Sequence, residues 1–287
     1  MRGSGKNPVW TVILIVALIG AIGCVGLIGW KAWKDAEAQR QYEELQNQVK
    51  TSSEQEPESE GPTLSELEQA AYDLREGDEP IIPTDVKTNI VQNPIDFGRL
   101  KDLNPDLYAW ITIDGTVIDY PVAQNSAGDN TYYLHHNMYG QYQFAGCIFT
   151  EYPNARDFSD PLTVMYGHNM RNGSMFHALH SFLDRDFFDS HESFYVYTAT
   201  NRYTYRIFAA YLFDDRHLLN TAELESPNNF EKYLNEIKTT YSVTGNYRDV
   251  GELNADSRIL TLSTCVGGDH ARRCLVQAVL VNNEQTK

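Results

Sequence analysis

The sequence is short of cysteine, of positive charge and of long apolar runs. Four cysteines among 287 residues exclude a disulfide-stapled scaffold. Twenty-three basic side chains against 39 acidic ones leave a formal net charge of −16. That excludes a nucleic-acid binder, which needs a basic face to displace counterions. No internal repeat and no glycine-rich phosphate loop occurs, so solenoid arrays and nucleotide-cradling loops are excluded as well. Hydrophobic residues still make up 42% of the chain, too many for a wholly disordered acidic protein.

A single long uncharged run stands at the amino-terminal end. Val9 to Trp30 (VWTVILIVALIGAIGCVGLIGW) has 22 residues and no charge. As a helix it would span about 33 Å, enough for a bilayer. Trp10, Trp30 and Trp33 flank it, where amphipathic rings favour the interface. The run outlasts a signal-peptide core and passes straight into Trp30-Lys31 instead of a small-residue cleavage site, so it reads as an uncleaved anchor. Flanking Lys and Arg are nearly balanced, and a long acidic remainder is exportable whatever the loop charge. The expected topology is a single pass through the cell membrane, amino terminus cytoplasmic and the bulk extracellular.

The chain then divides by composition into a short tail (1–8), the anchor (9–30), a helical and acidic stalk (31–80) and a globular domain (81–287). Lys31 to Lys50 reads as a polar helical extension. Thr51 to Gly61 (TSSEQEPESEG) has no apolar residue to bury and reads as a flexible linker. Thr63-Leu64-Ser65-Glu66 matches a capping box and predicts a helix carrying Leu64, Leu67, Ala71 and Leu74. Residues 51–80 hold ten acids and one base, a net charge of −9. More than half of the total therefore belongs to the stalk.

From about Ile81, β-branched and aromatic runs recur between turn signals: 108–113, 116–122, 146–152, 162–167, 194–213, 258–264 and 274–281. The fifth run folds naturally as a hairpin about Ala199 to Asn201. Roughly eight strands result, and the fold class is mainly β, a closed barrel or sandwich. Two helices interrupt it. Ser174 is placed to cap one that carries Met175, Phe176, Leu179, Phe182 and Leu183. Ser226, with Pro227 at the first helical position, starts another with Phe230, Tyr233, Leu234 and Ile237 on one face.

The chemistry concentrates near the carboxyl end. Cys24 lies in the apolar run, and Cys147 and Cys274 sit within strand-like runs, where a small buried hydrophobe is the default. Cys265 instead ends a strand and precedes Val266-Gly267-Gly268, a placement open to substrate. A reactive thiol needs a proton partner or a nearby positive charge. Of eight histidines, His168 follows the strand LTVMYG directly. Arg273, at the start of the last strand, is a guanidinium able to hydrogen-bond a developing oxyanion. His135-His136, and His177 with His180, suggest a metal only weakly, since no further ligands complete a recognisable spacing. No cofactor is called for.

Thr261-Leu262-Ser263-Thr264-Cys265, with Arg273 eight residues beyond the cysteine, resembles the sortase family. The segment YGHNMRNGSMF around His168 resembles the histidine segment of the class B sortases. Asp119-Tyr120-Pro121-Val122 and Asp129-Asn130-Thr131-Tyr132-Tyr133-Leu134 also match, in family order, over about Asp85 to Asn282. The resemblance implies an eight-stranded β-barrel with amino-terminal helices and a long helix between strands 6 and 7. It implies a Gram-positive cell-surface cysteine transpeptidase of the thiol-peptidase type. Cys265 would attack the carbonyl after Thr in a carboxyl-terminal sorting motif, Asn-Pro-Gln-Thr-Asn-like or Pro-x-Thr-Gly-like, on a secreted surface protein. His168 would move the protons and Arg273 would hold the carbonyl or oxyanion. An amine of the peptidoglycan precursor, or of a pilin, would resolve the thioester. Asn130, Leu134 and Ser263 match substrate-groove positions. One departure is that Val266 and Gly267 stand where some class B enzymes carry an acid, so no catalytic carboxylate is assigned. Two other classes stay open at this point. A papain-like peptidase is disfavoured by chain order, since its cysteine precedes its histidine. A non-catalytic membrane-anchored adhesion domain would show the same strands.

Overall fold

The computed structural model of the chain describes residues 8–50, 90–220 and 226–287. The linker at 51–61, the capping box at Thr63 to Glu66 and the helix expected after it lie outside the described residues.

Eight strands close into a barrel. They are β1 (Leu107–Thr112), β2 (Asp119–Ala123), β3 (Ile148–Thr150), β4 (Leu162–Tyr166), β5 (Ser193–Thr198), β6 (Asn201–Asp214), β7 (Ile259–Val266) and β8 (Asp269–Gln285). The order around the ring is β5-β1-β2-β3-β4-β7-β8-β6, and β6 pairs back onto β5 to close it. A two-residue strand, Asn246–Tyr247, lies along β6 beyond the end of β5. Six of the eight pairings are antiparallel; β2–β3 and β4–β7 are parallel. Closure leaves the barrel strands no open edge.

The inner face is apolar, with Ile111, Val122, Phe194, Leu260, Leu262 and Val276 buried in one cluster. The outer face is also covered along part of the ring. Helix α4 (Pro227–Thr239) lays Phe230, Tyr233, Leu234 and Ile237 on Phe208, Tyr211, Ile259 and Leu275. It starts as the sequence predicts, with the Ser226 hydroxyl accepting from the Asn229 amide (3.3 Å) and Pro227 at the first helical position. It lies between barrel strands β6 and β7. Covered on both faces, β7 is buried from Ile259 to Thr264 and emerges only at Cys265, the near-continuous apolar pattern of a doubly packed strand.

Among the described residues three α-helices precede α4: α1 (Pro8–Val49), α2 (Phe97–Leu103) and α3 (Arg185–Ser190). Among the described residues, α1 is the one helix long and apolar enough to cross a membrane, and its apolar part is exposed. Its polar half is no free spacer. Ala38, Tyr42, Leu45 and Val49, spaced along one face, are buried in the barrel's own core cluster. The Tyr42 hydroxyl donates to the Gly146 carbonyl (2.6 Å), and Gln46 donates to the Asp119 carbonyl (2.6 Å). Lys50 pairs with the Asp119 carboxylate, which also accepts from the Trp110 indole at 2.7 Å. Composition shows polarity here but not which polar helix finds a partner.

The segment after β4 differs from its sequence reading. Ser174 caps no helix; its hydroxyl donates to Asn172 Oδ1 (2.7 Å). Residues Phe176–Leu183 form a 3₁₀ helix entered through Met175 at φ +58°, with no side-chain cap. The His168 carbonyl accepts from the Phe176 amide at 2.9 Å. That bond folds the loop back on itself before the helix begins.

The docking of α1 is a stability term. Leu45→Ala is expected to lower the unfolding free energy by about 2–5 kcal/mol. Asn47→Ala, on the exposed face, should stay within about 0.5 kcal/mol. Urea denaturation of the two variants in detergent checks this.

Candidate active site

Strand register builds the site. On β7 the side chains of Ile259, Thr261, Ser263 and Cys265 alternate onto the outer face. The α4 cover reaches Ile259 directly and Thr261 through Gln277, which donates to Thr261 Oγ1 (2.9 Å) and bonds Tyr233 of α4. Beyond Thr261 the cover ends, and Ser263 and Cys265 border a cavity of about 260 Å³. Cys265 lies directly opposite Arg273, and Ser263 opposite Leu275, across the β7–β8 pair. All four side chains line that cavity.

The hairpin joining β7 to β8 is tight. The sequence suggests a flexible Val266-Gly267-Gly268 loop and a last strand opening at Arg273. Instead, Val266 pairs with Asp269 around a two-residue turn, Gly267-Gly268, and β8 begins at Asp269. Gly268 takes φ +78°, a conformation that costs an L side chain energy and glycine little. The register then breaks between Val266 and Cys265: residues 270–272 of β8 have no partner on β7, and the ladder resumes with Cys265 opposite Arg273. Asp269 bonds Arg272 at 2.6 Å within the turn region.

Parallel pairing of β4 with β7 supplies the imidazole. Tyr166 pairs with Ser263, so both strands end at the same rim, and His168 lies two residues past Tyr166. The Gly167 amide donates to the Ser263 carbonyl (3.2 Å), and Thr264 Oγ1 donates to the Gly167 carbonyl (2.7 Å). A Cβ on Gly167 would come within 2.7 Å of Phe176 Cγ and 2.5 Å of Ile148 Cδ1, both buried. Only glycine lets the backbone pass so close. His168 Nε2 donates to the Leu134 carbonyl (2.8 Å), and its ring stacks on Phe144 (5.2 Å) and His135 (5.7 Å). Burial of the imidazole lowers the His168 pKa below its ordinary value. The Leu134 bond opposes this and the neighbouring His135 adds to it. At neutral pH the ring is a neutral base.

The remaining thiols sort by environment. Burial pushes the Cys147 and Cys274 thiols up to about 12. Cys24 is on the apolar helix, and Cys265 is exposed. Of the groove positions, Asn130 lines the cavity and accepts from the Tyr152 amide at 2.8 Å. Leu134 lines it too and offers its carbonyl to His168. Ser263 is buried to 5% exposure at its edge.

Several residues of the site were not foreseen. The Asn169 side-chain amide donates to the Cys265 carbonyl (3.0 Å), His180 Nε2 lies 3.1 Å from the same oxygen, and His177 Nδ1 bonds Asn169 Oδ1 at 2.7 Å. His177 and His180 thus belong to a network behind the thiol. Their spacing in the sequence suggested only a weak metal pair; the bonds to Asn169 and the Cys265 carbonyl come from the fold. Glu151 is a second omission. It lines the cavity, is 7% exposed, and bonds His217 at 2.6 Å.

A thiol, a neutral imidazole and a guanidinium converging on one groove of a closed barrel define a class of fold and site found in the sortases. The sortase domain family matches residues 111–281, and the chain belongs to that family. Its relatives place it in class B. It is 40% identical over 166 residues to Sortase B of Listeria monocytogenes, a match covering 58% of this chain and 65% of that protein. The chain thus spans just under two thirds of that relative's length. It is 27% identical over 169 residues to Sortase B of Staphylococcus aureus, covering 59% of this chain and 67% of that one. Among solved structures, Clostridium perfringens sortase B superposes with a TM-score of 0.57 at 34% identity, over 65% of this chain and 100% of that one. The Staphylococcus aureus sortase B–substrate complex covers 87% of this chain and 99% of its own at a TM-score of 0.63. At 21% identity, that is a likeness of fold.

A buried neutral His168 means the unfolded chain takes up a proton at higher pH than the folded one. Its contribution to stability is fully present above the unfolded value of about 6.5 and is lost as pH falls through the depressed folded value. Urea midpoints should fall between pH 7 and 5 in the parent, and less steeply in His168→Gln; parallel curves would contradict this. Iodoacetamide should label Cys265 in the folded protein and reach Cys147 and Cys274 only after denaturation, as read by peptide mass spectrometry.

Proposed function

We propose that this chain is a membrane-anchored cysteine transpeptidase acting on proteins that carry a carboxyl-terminal sorting motif. The motif is Asn-Pro-Gln-Thr-Asn-like or Pro-x-Thr-Gly-like. Residues 9–30 anchor it, with the tail cytoplasmic and the domain from 81 onward, with the docked part of α1, outside the cell. The acceptor is an amine of the peptidoglycan precursor or of a pilin. One observation carries the reading: the exposed Cys265 thiol, the neutral His168 imidazole and the Arg273 guanidinium line one cavity.

The chemistry follows from these groups. An extended peptide lies along the groove past Asn130, Leu134 and Ser263, with its scissile carbonyl over Cys265. The neutral His168 accepts the thiol proton as sulfur attacks, forming a C–S bond. Negative charge then moves onto the carbonyl oxygen. The Arg273 guanidinium, always charged, holds that oxyanion. As the C–N bond breaks, the imidazolium returns its proton to the departing amine. The thioester remains on Cys265, and an incoming amine reverses the sequence. Because His168 starts neutral, it works as base first and acid second.

The test is cleavage of a fluorogenic sorting peptide by the full chain in detergent, with an amine acceptor. Cys265→Ala should abolish turnover. His168→Ala should cost about 10²–10⁴-fold in kcat. Arg273→Gln should cost about 10²–10³-fold, also in kcat. Equal cleavage by Cys265→Ala would overturn the cysteine-transpeptidase reading, and no cleavage by the parent would leave the adhesion-domain reading in its place.

A further inference from the structure

A cavity of about 590 Å³ lies between α1 and the loop that precedes β3. It runs along α1 from Leu27, within the apolar run, to Gln41. At the Gln41 end the loop is stitched to the helix. Asn137 Nδ2 and Gln143 Nε2 both donate to Gln41 Oε1, at 3.2 and 3.1 Å. Asn137 Oδ1 in turn accepts from the Tyr139 and Gln141 amides at 3.0 Å each. The loop therefore holds a fixed shape against the helix, and the cavity is a built cleft.

Aromatic rings line it. Trp30 and Trp33 come from α1, Tyr142 and Phe144 from the loop, and each is more than half exposed. Four large rings presented together mark a contact site and not a surface that meets only water. Their place, at the end of an apolar run, is that of the rings at a membrane–water interface. The heights agree. A helix rises about 1.5 Å per residue, so Lys31 to Lys34 lie within about 6 Å of Trp30 along the axis. A headgroup layer is about 5–8 Å deep on each side of the hydrocarbon. The Lys31 ammonium sits 5.6 Å from the centre of the Phe144 ring, and the Lys34 ammonium 5.3 Å from that of Trp30. Phe144 is thus level with the first residue beyond the apolar run.

Charge on the wall is uneven. Lys31 and Lys34 are one helical turn apart, and among the described residues neither makes an ion pair. Of the two acids beside them on the wall, Glu37 is paired with Arg40, and Asp35 makes no ion pair. Two ammonium groups against one carboxylate leave a single excess positive charge. One phosphodiester neutralises it.

We infer that this cleft binds an anionic phospholipid of the surrounding bilayer. The inference rests on the reading of residues 9–30 as a membrane span. An acyl chain lies along Leu27 and Trp30, the phosphate meets Lys31 and Lys34, and the headgroup points up the cleft past Tyr142 and Phe144. Continuity with the apolar run selects this occupant. A lipid beside the span enters by moving along the helix and covers the rings, whereas a free anion leaves them bare. The barrel then meets the bilayer at two places, the span and the loop. Phe144 also stacks on His168 at 5.2 Å, so the lipid and the catalytic imidazole touch the same ring.

The experiment uses the full chain in phosphatidylcholine nanodiscs with a trace of phosphatidylglycerol that carries a diazirine near its glycerol. Peptide mass spectrometry locates the crosslinks after illumination. The parent should be labelled within 137–145 as well as within 9–30. Lys31→Gln combined with Lys34→Gln should lower loop labelling about 10–30-fold and leave span labelling unchanged. Tyr142→Ser, at an exposed position, should lower loop labelling severalfold. Lys101→Gln, exposed on α2, should match the parent. Phosphatidylcholine with the same diazirine should label the loop less, and excess inorganic phosphate should not compete. A labelled span with an unlabelled loop overturns the inference and leaves the anchor reading standing, as does loop labelling that the double lysine variant does not reduce. Equal loop labelling by the two lipids overturns the preference for an anionic one. Competition by inorganic phosphate makes the cleft a site for free anions and overturns the lipid. If neither segment is labelled, the span reading falls first and the inference with it.

Discussion

Parallel pairing of β4 with β7 is the constraint on which the site depends. The two strands are almost a hundred residues apart in sequence, yet they run in the same direction and end at the same rim. A histidine just beyond one and a cysteine at the end of the other are therefore neighbours without any long loop to order. The third group comes from β8, which returns antiparallel through a two-residue turn and, after a register break that leaves residues 270–272 without a β7 partner, sets Arg273 opposite Cys265. Cys265 and Arg273 are thus fixed by backbone ladders, which hold geometry better than loops do, and His168 follows directly on the last bond of another, Gly167 to Ser263.

A second layer of bonds fixes orientation. The imidazole is held through the Leu134 carbonyl, and Cys265 is gripped from behind by Asn169 and His180 at its own carbonyl. These groups act on main-chain oxygens, which side-chain patterns do not reveal. The same holds for Tyr42, whose hydroxyl meets Gly146 beside the Tyr133–Leu134 backbone; a Cβ on Gly146 would stand 2.6 Å from the Leu134 oxygen. The apolar helix is thereby connected to the base of the active site by a short chain of contacts.

How much of this was legible follows the physics of each feature. Strand positions were readable from β-branched and aromatic runs, because both faces of this barrel are partly covered and the runs are long. The α4 start was readable because Ser226 and Pro227 are local signals. The Ser174 cap failed because Met175 at positive φ breaks the geometry a cap needs, and its amide is instead held by the Tyr120 hydroxyl, a tertiary contact. His168, Cys265 and Arg273 stood out through their places at strand ends. Glu151 and the His177–His180 network did not, because only the fold brings them to the rim. Asp119 and Tyr120, matched as a family stretch, serve α1 docking and the loop after β4.

The buried face of α1 bears on how the protein can be divided. Composition draws the boundary of the folded unit at residue 81, after a strongly acidic stretch. A fragment begun there would lack Ala38, Tyr42, Leu45 and Val49 and would present their apolar seat on the barrel to water. Exposed patches of that kind drive self-association. Solubility would then be lost by removing a polar segment, the reverse of what trimming a membrane protein is meant to achieve. The natural cut lies between Trp30 and Ala38, inside a continuous helix.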